Sequence, residues 1–373
     1  MSLFGGSKKG TEPVFSGLLG VDIGTVGVKV VELTMEKDKP RLTTYGYAEM
    51  TGVTNDLSAI QDPTKVADMI KRVCKDAGVK TKKTVTALPA SEVFHTIVSI
   101  PIPGSPTEDL RPAIEAQAKK VFPLPVEEMV LDSVVLDKEM LKNAGKKSEG
   151  AAASEGKERF IRVFLTGAPK TLIQKYLDVF AKAGLELVSL ETEVMSLVRT
   201  LVSEEDAQIM IVDIGGKRSN VIIADGGIPF LTRGIKGGGE EITKALAKSM
   251  GISEADAELA KRDLGYGEAV LPKPLQDALQ PMVHEMRYAL QMYADQSFHD
   301  HRTVEKILIT GGSAHLPGID PYVTAALNVN VYIADPWARI AYPPEAKPIL
   351  EEVGPRLCVA AGLALRIIEK GIL

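Results

Sequence analysis

The feature that most constrains this chain is a near-repeat: Leu19-Gly20-Val21-Asp22-Ile23-Gly24 returns as Met210-Ile211-Val212-Asp213-Ile214-Gly215. In both copies an apolar run ends in Asp-Ile-Gly, and small or hydroxylated residues then lead into a second apolar, β-rich run. Each copy reads as a strand, a tight glycine turn and an antiparallel return strand. Glycine lets backbone N–H groups approach an anion closely, and an aspartate at the strand end is placed to hold Mg2+ or its water. Two such hairpins far apart in the chain can clamp one polyphosphate from opposite sides. They imply two related domains with a nucleotide between them.

Composition leaves room for that architecture and excludes several others. A chain of 373 residues is long enough for two domains with substantial cores. The formal net charge of −5, with no basic stripe, gives no footing for a nucleic-acid binder. Cys74 and Cys358 are too few for a disulfide framework, which points to a reducing compartment. No apolar run approaches the roughly 20 residues that span a bilayer, and the first residues lack the apolar core of a signal peptide. The expectation is a cytosolic protein with at most peripheral membrane association. The start, with Leu3-Phe4 and Lys8-Lys9, reads as a frayed terminus or as a short contact for a membrane or partner.

The first half predicts strands at 19–24, 28–34 and 41–48, an amphipathic helix over about 63–77 carrying Val66, Ile70 and Val73, and a strand at 84–88. A separate unit follows: strand 93–100, a Pro-rich turn, helix 107–122 ended by Pro123, strand 129–136, strand 160–165, helix 169–183 and strand 185–190. Residues 138–158 are Lys, Glu, Ala, Gly and Ser with almost no large apolar side chains, the composition of a mobile loop between strands. After a helix at about 193–203 the opening pattern returns, with strands at 208–214, 219–224 and 228–233 around the turn Asp225-Gly226-Gly227. Helices at about 239–250, 254–264 and 275–298 precede strand 306–310, a helix near 318–327, strand 331–334 and a final Ala/Gly-rich helix at about 356–369. This alternation makes the class α/β.

The first loop, Asp22-Ile23-Gly24-Thr25-Val26-Gly27-Val28-Lys29, offers backbone N–H groups, a hydroxyl and a cation to phosphates. The second, Asp213-Ile214-Gly215-Gly216-Lys217-Arg218-Ser219, offers the same set with another aspartate. Taken singly, each is a weak signal, because Asp-x-Gly before a strand is usually just a hairpin turn. A third piece, Thr310-Gly311-Gly312-Ser313 through Gly318, ends a strand in Gly-Gly, leaving room for a flat ring or ribose, and then starts a helix. A plain strand–turn–helix is the competing reading there. What separates the set from coincidence is its joint occurrence, in this order, with Ala/Gly-rich helices near 193–203 and 356–369.

With these residues in place the chain resembles the actin, hexokinase and heat-shock-chaperone ATPase superfamily. The two Asp-Ile-Gly loops resemble its phosphate motifs, 309–318 its adenosine motif, and the two small-residue helices its connecting helices. Within that superfamily the sequence is similar to the PilM family, the actin-like cytoplasmic component of type IV pilus assembly, with FtsA more distant. The most specific stretch runs from Pro101 to Asp132, where Ala113-Ile114-Glu115-Ala116-Gln117-Ala118 leads to Phe122-Pro123-Leu124-Pro125. Pro336-Trp337 and Val353-Gly354-Pro355 add to it.

The resemblance implies an actin-like fold of two related domains around a nucleotide cleft, with a small α+β subdomain inserted in the first. After a tail at 1–17 it places subdomain 1A at 18–85 and 185–205, 1C at 86–184, 2A at 206–237 and 304–373, and 2B at 238–303. It implies ATP and Mg2+ as cofactors. Asp22, Gly24, Thr25, Val26, Lys29, Asp213, Gly215, Gly216 and Ser219 would hold phosphates, with Asp22 and Asp213 on Mg2+, mostly through water. Gly311, Gly312 and Ser313 would lie against adenosine, and Gly238, Gly239 and Glu240 would form the glycine turn beside the nucleotide, where a simple helix cap is the competitor. Glu258 and Lys261 would reach ribose or base, a role that competes with an exposed i,i+3 ion pair. Glu191 and Glu193, at the start of the first connecting helix, are the candidates for positioning water in a slow hydrolysis.

The implied partner is the cytoplasmic N-terminal tail of a PilN-like membrane protein, held as an extended peptide in a groove between 1A and 1C. Other pilus assembly proteins and self-association complete the expected contacts, and location at the inner membrane would come through those partners. Two other functions compete. A sugar-kinase-type phosphotransferase needs a carboxylate base facing a substrate hydroxyl, which the compact insertion does not offer. An FtsA-like or actin-like filament former needs ATP-dependent assembly, and for membrane binding a C-terminal amphipathic anchor for which 367–373 is short. His299-Asp300-His301 reads as a helix terminus and not as a metal site, because neighbouring ligands point apart.

Overall fold

The computed structural model describes residues 17–49, 60–105, 107–137, 160–203, 208–263, 270–296 and 303–368. The expected loop at 138–158, the Leu3-Phe4 and Lys8-Lys9 start and His299–His301 lie outside the described residues. The described residues form two compact units, one within 91–175 and one within 17–90 and 176–368. The smaller unit takes 91–175 out of the 86–184 expected for 1C. Strand β4 (Lys83–Leu88) pairs within the larger unit's sheet, and the later part of helix α3 (Lys170–Ala183) belongs to that unit too.

The smaller unit is a three-stranded antiparallel sheet in the order β5-β7-β6, built from β5 (Phe94–Pro101), β6 (Met129–Val135) and β7 (Phe160–Pro169). Helix α2 (Arg111–Val121) covers one face, and Ile114, Ala118 and Phe122 pack with Val98, Ile100, Met129, Ile161, Val163 and Leu165. The helix starts later than its expected position at 107, because Asp109 is occupied with the Arg111 amide and guanidinium at 2.6–3.0 Å. Gly167 has no room for a side chain, since a Cβ there would lie 2.5 Å from the Met129 methyl carbon and 2.7 Å from the Phe122 ring.

In the larger unit the sequence repeat becomes a structural one. β1 (Gly17–Ile23), β2 (Gly27–Glu36) and β3 (Lys39–Glu49) form an antiparallel meander, and β4 and β8 (Glu186–Thr192) extend it in parallel, giving the order β3-β2-β1-β4-β8. The second sheet repeats the pattern as β11-β10-β9-β12-β13, from β9 (Gln208–Ile214), β10 (Arg218–Asp225), β11 (Ile228–Lys236), β12 (Lys306–Thr310) and β13 (Asn330–Ile333). Helix α1 (Pro63–Asp76) supports the first sheet, with Asp62 capping the Thr64 and Lys65 amides and Pro63 in the first turn. Helices α5 (Gly239–Met250), α6 (Glu254–Asp263), α7 (Lys273–Gln296) and α8 (Ile319–Leu327) serve the second.

Two helices join the sheets through one shared core. α4 (Glu193–Leu201) and α9 (Lys347–Ala364) place Val194, Leu197, Val198, Cys358, Val359 and Leu363 between Leu18, Val85 and Ala87 of the first sheet and Ile209, Ile211 and Ile222 of the second. Their crossing depends on Gly362, where a Cβ would sit 2.2 Å from both Ser196 O and Thr200 Oγ1. Ser196 and Thr200 then donate to Val359 O at 2.6 Å and Cys358 O at 3.0 Å across the contact. Helix α9 starts nine residues earlier than the glycine-rich pattern predicts (347 against 356), because Pro355 sits inside it. Proline has no N–H for Glu351 O, and His315 Nε2 donates to that carbonyl instead at 3.2 Å.

Residues 337–342, expected in 2A, pack on the first sheet. Ala341 bridges Arg41 and exchanges hydrogen bonds with Leu42 and Pro40, and buried Trp337 joins Val31, Leu33, Leu357 and Ala361 in one core.

Candidate nucleotide cleft

The first hairpin turns at Gly24, whose amide donates to Gly27 O at 2.9 Å. Register sets Asp22 opposite Lys29, and Lys29 Nζ lies 3.0 Å from Asp22 Oδ2. A Cβ on Gly24 would lie 2.7 Å from Lys29 Nζ, so a side chain there would push the ammonium aside. Burial acts to lower the Lys29 pKa, but the charge and hydrogen bond of Asp22, helped by Asp213 and Glu49, outweigh it and hold the ammonium above its ordinary value.

The second hairpin uses the same spacing, with Asp213 opposite Asn220. Burial pushes the Asp213 carboxyl up to about 6; Lys29 and the Asn220 hydrogen bond act against that, and Asp22 reinforces it. The two tips touch: the Lys217 amide donates to Thr25 Oγ1 at 3.3 Å, and a Cβ on Gly216 would meet Val26 Cγ2 at 2.8 Å. Gly24, Thr25, Val26, Lys29, Gly215 and Gly216 thus converge with the two aspartates.

The glycine turn before α5 takes a supporting place. The amides of Gly239 and Glu240 donate to Gly215 O and Gly216 O, each at 2.9 Å, and Ser219 Oγ donates to Gly237 O at 2.8 Å. These groups brace the second loop from behind. Glu241 closes the helix start by accepting from Gly238 N at 3.0 Å, and the Glu240 carboxylate lies 3.8 Å from Lys217 Nζ.

The Gly-Gly-Ser turn docks directly on that loop. Thr310 pairs with Asp213, and Gly311, at φ +92°, would place a Cβ 2.4 Å from Ile214 O and 2.7 Å from Asp213 Oδ1. Its amide and the Thr310 hydroxyl donate to Pro355 O at 3.0 and 2.7 Å, mounting the turn on α9 beside Gly312. Ser313 Oγ lies 2.9 Å from where a Gly239 Cβ would stand. Lys261 reaches the same corner from α6, donating to Gly239 O at 3.1 Å, Thr243 Oγ1 at 2.8 Å and Glu258 Oε2 at 2.6 Å. Glu258 and Lys261 are therefore a half-buried pair anchored to the glycine turn, not an ion pair on a solvated helix face.

The two glutamates near α4 separate in role. Both Glu191 oxygens are taken by Arg199, at 2.6 and 2.8 Å, and Arg366 adds a contact at 3.2 Å, so this side chain ties the far end of α4 and the 3-10 turn that follows α9 to strand β8. The expected water-positioning role does not fit a carboxylate engaged on both oxygens. Glu193 accepts from Ala90 N at 3.0 Å and faces the aspartates: burial first, then the Asp22 and Asp213 charges, push its pKa up to about 8, against the Ala90 bond and Arg218.

Sequence reading missed Asn220, Arg199, Arg366 and the rim contact in which Arg356 stacks 4.8 Å over Tyr47 and lies 3.5 Å from Glu49. Asn220 was findable: it follows Asp213 by the same seven positions as Lys29 follows Asp22 (220 − 213 and 29 − 22).

Two sheets of one topology, joined by crossed helices around facing acidic hairpins, define the actin-like ATPase fold. The family model described as type IV pilus assembly protein PilM matches residues 20–368, and the chain belongs to that family. A solved PilM–PilN type IV pilus biogenesis complex superposes with a TM-score of 0.77 at 25% identity, covering 96% of this chain and 100% of that one. Cell division protein FtsA of Enterococcus hirae is 26% identical over 353 residues, covering 85% of this chain and 78% of that protein. MreB5 of Spiroplasma citri, solved with ADP, shares the fold at 14% identity and TM-score 0.52, covering 95% of this chain and 97% of that one. Among the described residues no helix is long and apolar enough to cross a membrane.

Proposed function

We propose that this PilM-family protein is a cytoplasmic ATP-binding scaffold that binds the N-terminal cytoplasmic tail of a PilN-like membrane protein and is held at the inner membrane by its partners. The observation that carries the nucleotide reading is the contact between the two hairpin tips, Lys217 N to Thr25 Oγ1 at 3.3 Å, which brings Asp22, Lys29 and Asp213 to one place. The residues fit Mg-ATP: carboxylates are the hard oxygen donors that Mg2+ selects, and glycine backbone, hydroxyl and ammonium suit phosphate. Gly24, Thr25, Val26, Lys29, Gly215 and Gly216 hold the phosphates. Gly311, Gly312 and Ser313 hold the nucleoside, with Glu258 and Lys261 at its edge. Ser219, Gly238, Gly239 and Glu240 shape the loop from behind, and Glu193 alone positions water, making any hydrolysis slow. The solved PilM–PilN complex supports the partner, and β5, which pairs with β7 on one side, is the strand to mutate first.

Calorimetry with Mg-ATP, and with a peptide copying the partner tail, tests both halves. Asp22→Ala and Asp213→Ala should each abolish Mg-ATP binding in a folded protein. Wild-type affinity in both variants would sink the cleft reading, and a peptide that fails to bind with or without nucleotide would sink the scaffold reading. The FtsA relatedness supports one further reading, nucleotide-dependent self-association, which sedimentation with and without ATP decides.

A further inference from the structure

We infer that the end of the first sheet opposite the cleft is a contact surface for an anionic lipid bilayer, so that the protein touches the membrane itself as well as through its partners. Strand register assembles this end. β1 runs from Gly17 to the cleft at Ile23, and Gly17 stands beside Thr34 of β2 and close to the start of β4. The Lys80 and Thr81 amides donate to buried Glu32, Thr81 Oγ1 donates to Gly17 O at 3.2 Å, and the Glu186 amide at the start of β8 donates to Lys82 O at 2.8 Å. The β2–β3 hairpin closes here through Lys37-Asp38. Five strand ends therefore form one edge, about 20 Å wide at the usual strand spacing.

That edge is basic on a chain whose formal net charge is −5. Lys37, Lys39, Lys80 and Lys82 are exposed along it, flanked by exposed Lys75 and Lys182 on the last turns of α1 and α3. Among the described residues none of these six ammonium groups has an ion-pair partner. Two of the neighbouring carboxylates are taken by arginines, Glu36 by Arg41 and Asp76 by Arg72, which leaves Asp38 and Glu186 as the opposing charges. Lys37 and Asp38 both hold positive φ, 50° and 61°, so the hairpin tip carries a lysine where glycine or asparagine is the easier residue. Lysines on flexible stems suit a diffuse, flat layer of headgroup charge better than a fixed bidentate ligand. Screening confines the attraction to about 8 Å, so a bilayer meets this edge and not the acidic remainder. The residues before Gly17 join the sheet at the same end and carry Leu3-Phe4 and Lys8-Lys9, apolar and basic groups that a lipid surface accepts together.

The test is sedimentation of the full chain with vesicles of phosphatidylcholine alone and with about one third phosphatidylglycerol, at low and high salt. The unaltered protein should bind only the anionic vesicles and leave them at high salt. Each lysine that reaches an anionic surface is worth up to about fivefold in binding. Changing Lys37, Lys39, Lys80 and Lys82 together to Gln should therefore weaken binding about tenfold or more, and each pair alone should give part of that loss. Changing Lys244, Lys248, Lys273 and Lys347 to Gln removes the same charge from exposed sites elsewhere and should leave binding unchanged. Melting curves report folding of every variant. No binding to anionic vesicles, binding that ignores salt, or equal losses in the two fourfold variants overturns the inference. So does duplex DNA that binds more tightly than the vesicles through the same lysines, because the edge would then serve a nucleic acid.

Discussion

The two hairpins share a backbone and differ in charge. Each ends a strand in Asp-Ile-Gly and faces that aspartate with the residue seven positions on, but the first sets Lys29 against Asp22 and the second sets Asn220 against Asp213. Asp22 has a cation at 3.0 Å; Asp213 has an amide, and burial moves its carboxyl up to about 6. At the tips the asymmetry reverses, with Thr25-Val26 on one side and Gly216-Lys217 on the other. The repeated geometry brings two acids together, while the positive charge stands on the strand in one copy and at the tip in the other. A clamp for an anion with a bound cation needs both kinds of position.

Removing the facing residues is the strongest way to break this comparison. Lys29→Ala leaves Asp22, only 5% exposed, without its counter-ion, and breaking a buried pair costs about 3–5 kcal/mol. Asn220→Ala removes one neutral hydrogen bond to Asp213 and should cost about 1 kcal/mol. Urea unfolding of the two variants should show that difference with unchanged slopes, and equal losses would mean the hairpins are energetically alike. Mg-ATP affinity should fall in both.

The acids themselves give the next effect, and its sign is set by protonation. Burial raises Glu193 from 4.5 to about 8 and Asp213 from 3.8 to about 6, so the folded protein binds protons that the unfolded chain has released. Their contribution is fully present below the unfolded values and is lost as pH rises through the folded ones, so stability without nucleotide or Mg2+ should decline between about pH 4 and 8. Glu193→Gln removes the larger part. The variant should match the parent at pH 4 and exceed it at pH 8 by an amount on the order of a few kcal/mol. Melting curves at both values decide it; identical pH profiles would mean that Glu193 is not buried as described. Glu191→Gln should instead lose stability at pH 8, because it strips charge from the Arg199 and Arg366 contacts.

Much of this was legible because the signal was periodic. Alternation and Asp-Ile-Gly marked both hairpins, and the repeat marked the duplicated sheets. The missed features have local causes. Pro355 hides the first turns of α9, since proline inside a helix is tolerated only where another donor, here His315, takes the freed carbonyl. Pairing of Ala341 with Pro40 and Leu42 joins segments roughly 300 residues apart in sequence, which no local pattern encodes. Glu191 and Glu193 look alike in sequence, and only the fold shows one gripped by two arginines and the other turned toward the aspartates. Gly238 and Gly239 read as ligand-facing because glycine marks any close approach; here the approach is to Gly215 O, 2.2 Å from a Gly238 Cβ.

The smallest expected effect lies where the hairpins meet. Thr25→Val keeps shape and removes the hydroxyl that accepts from Lys217 N, a bond long enough, at 3.3 Å, to be weak. Its loss should change stability by about 0.5–1.5 kcal/mol, the net worth of one such bond. The informative readout is hydrogen exchange at the Lys217 amide. Loss of protection there with the rest of β10 unchanged means the tips are held together by this contact. Unchanged protection means that packing of Val26 against Gly216 holds them, and Gly216→Ala, whose Cβ would crowd Val26 at 2.8 Å, should then be the variant that parts the jaws.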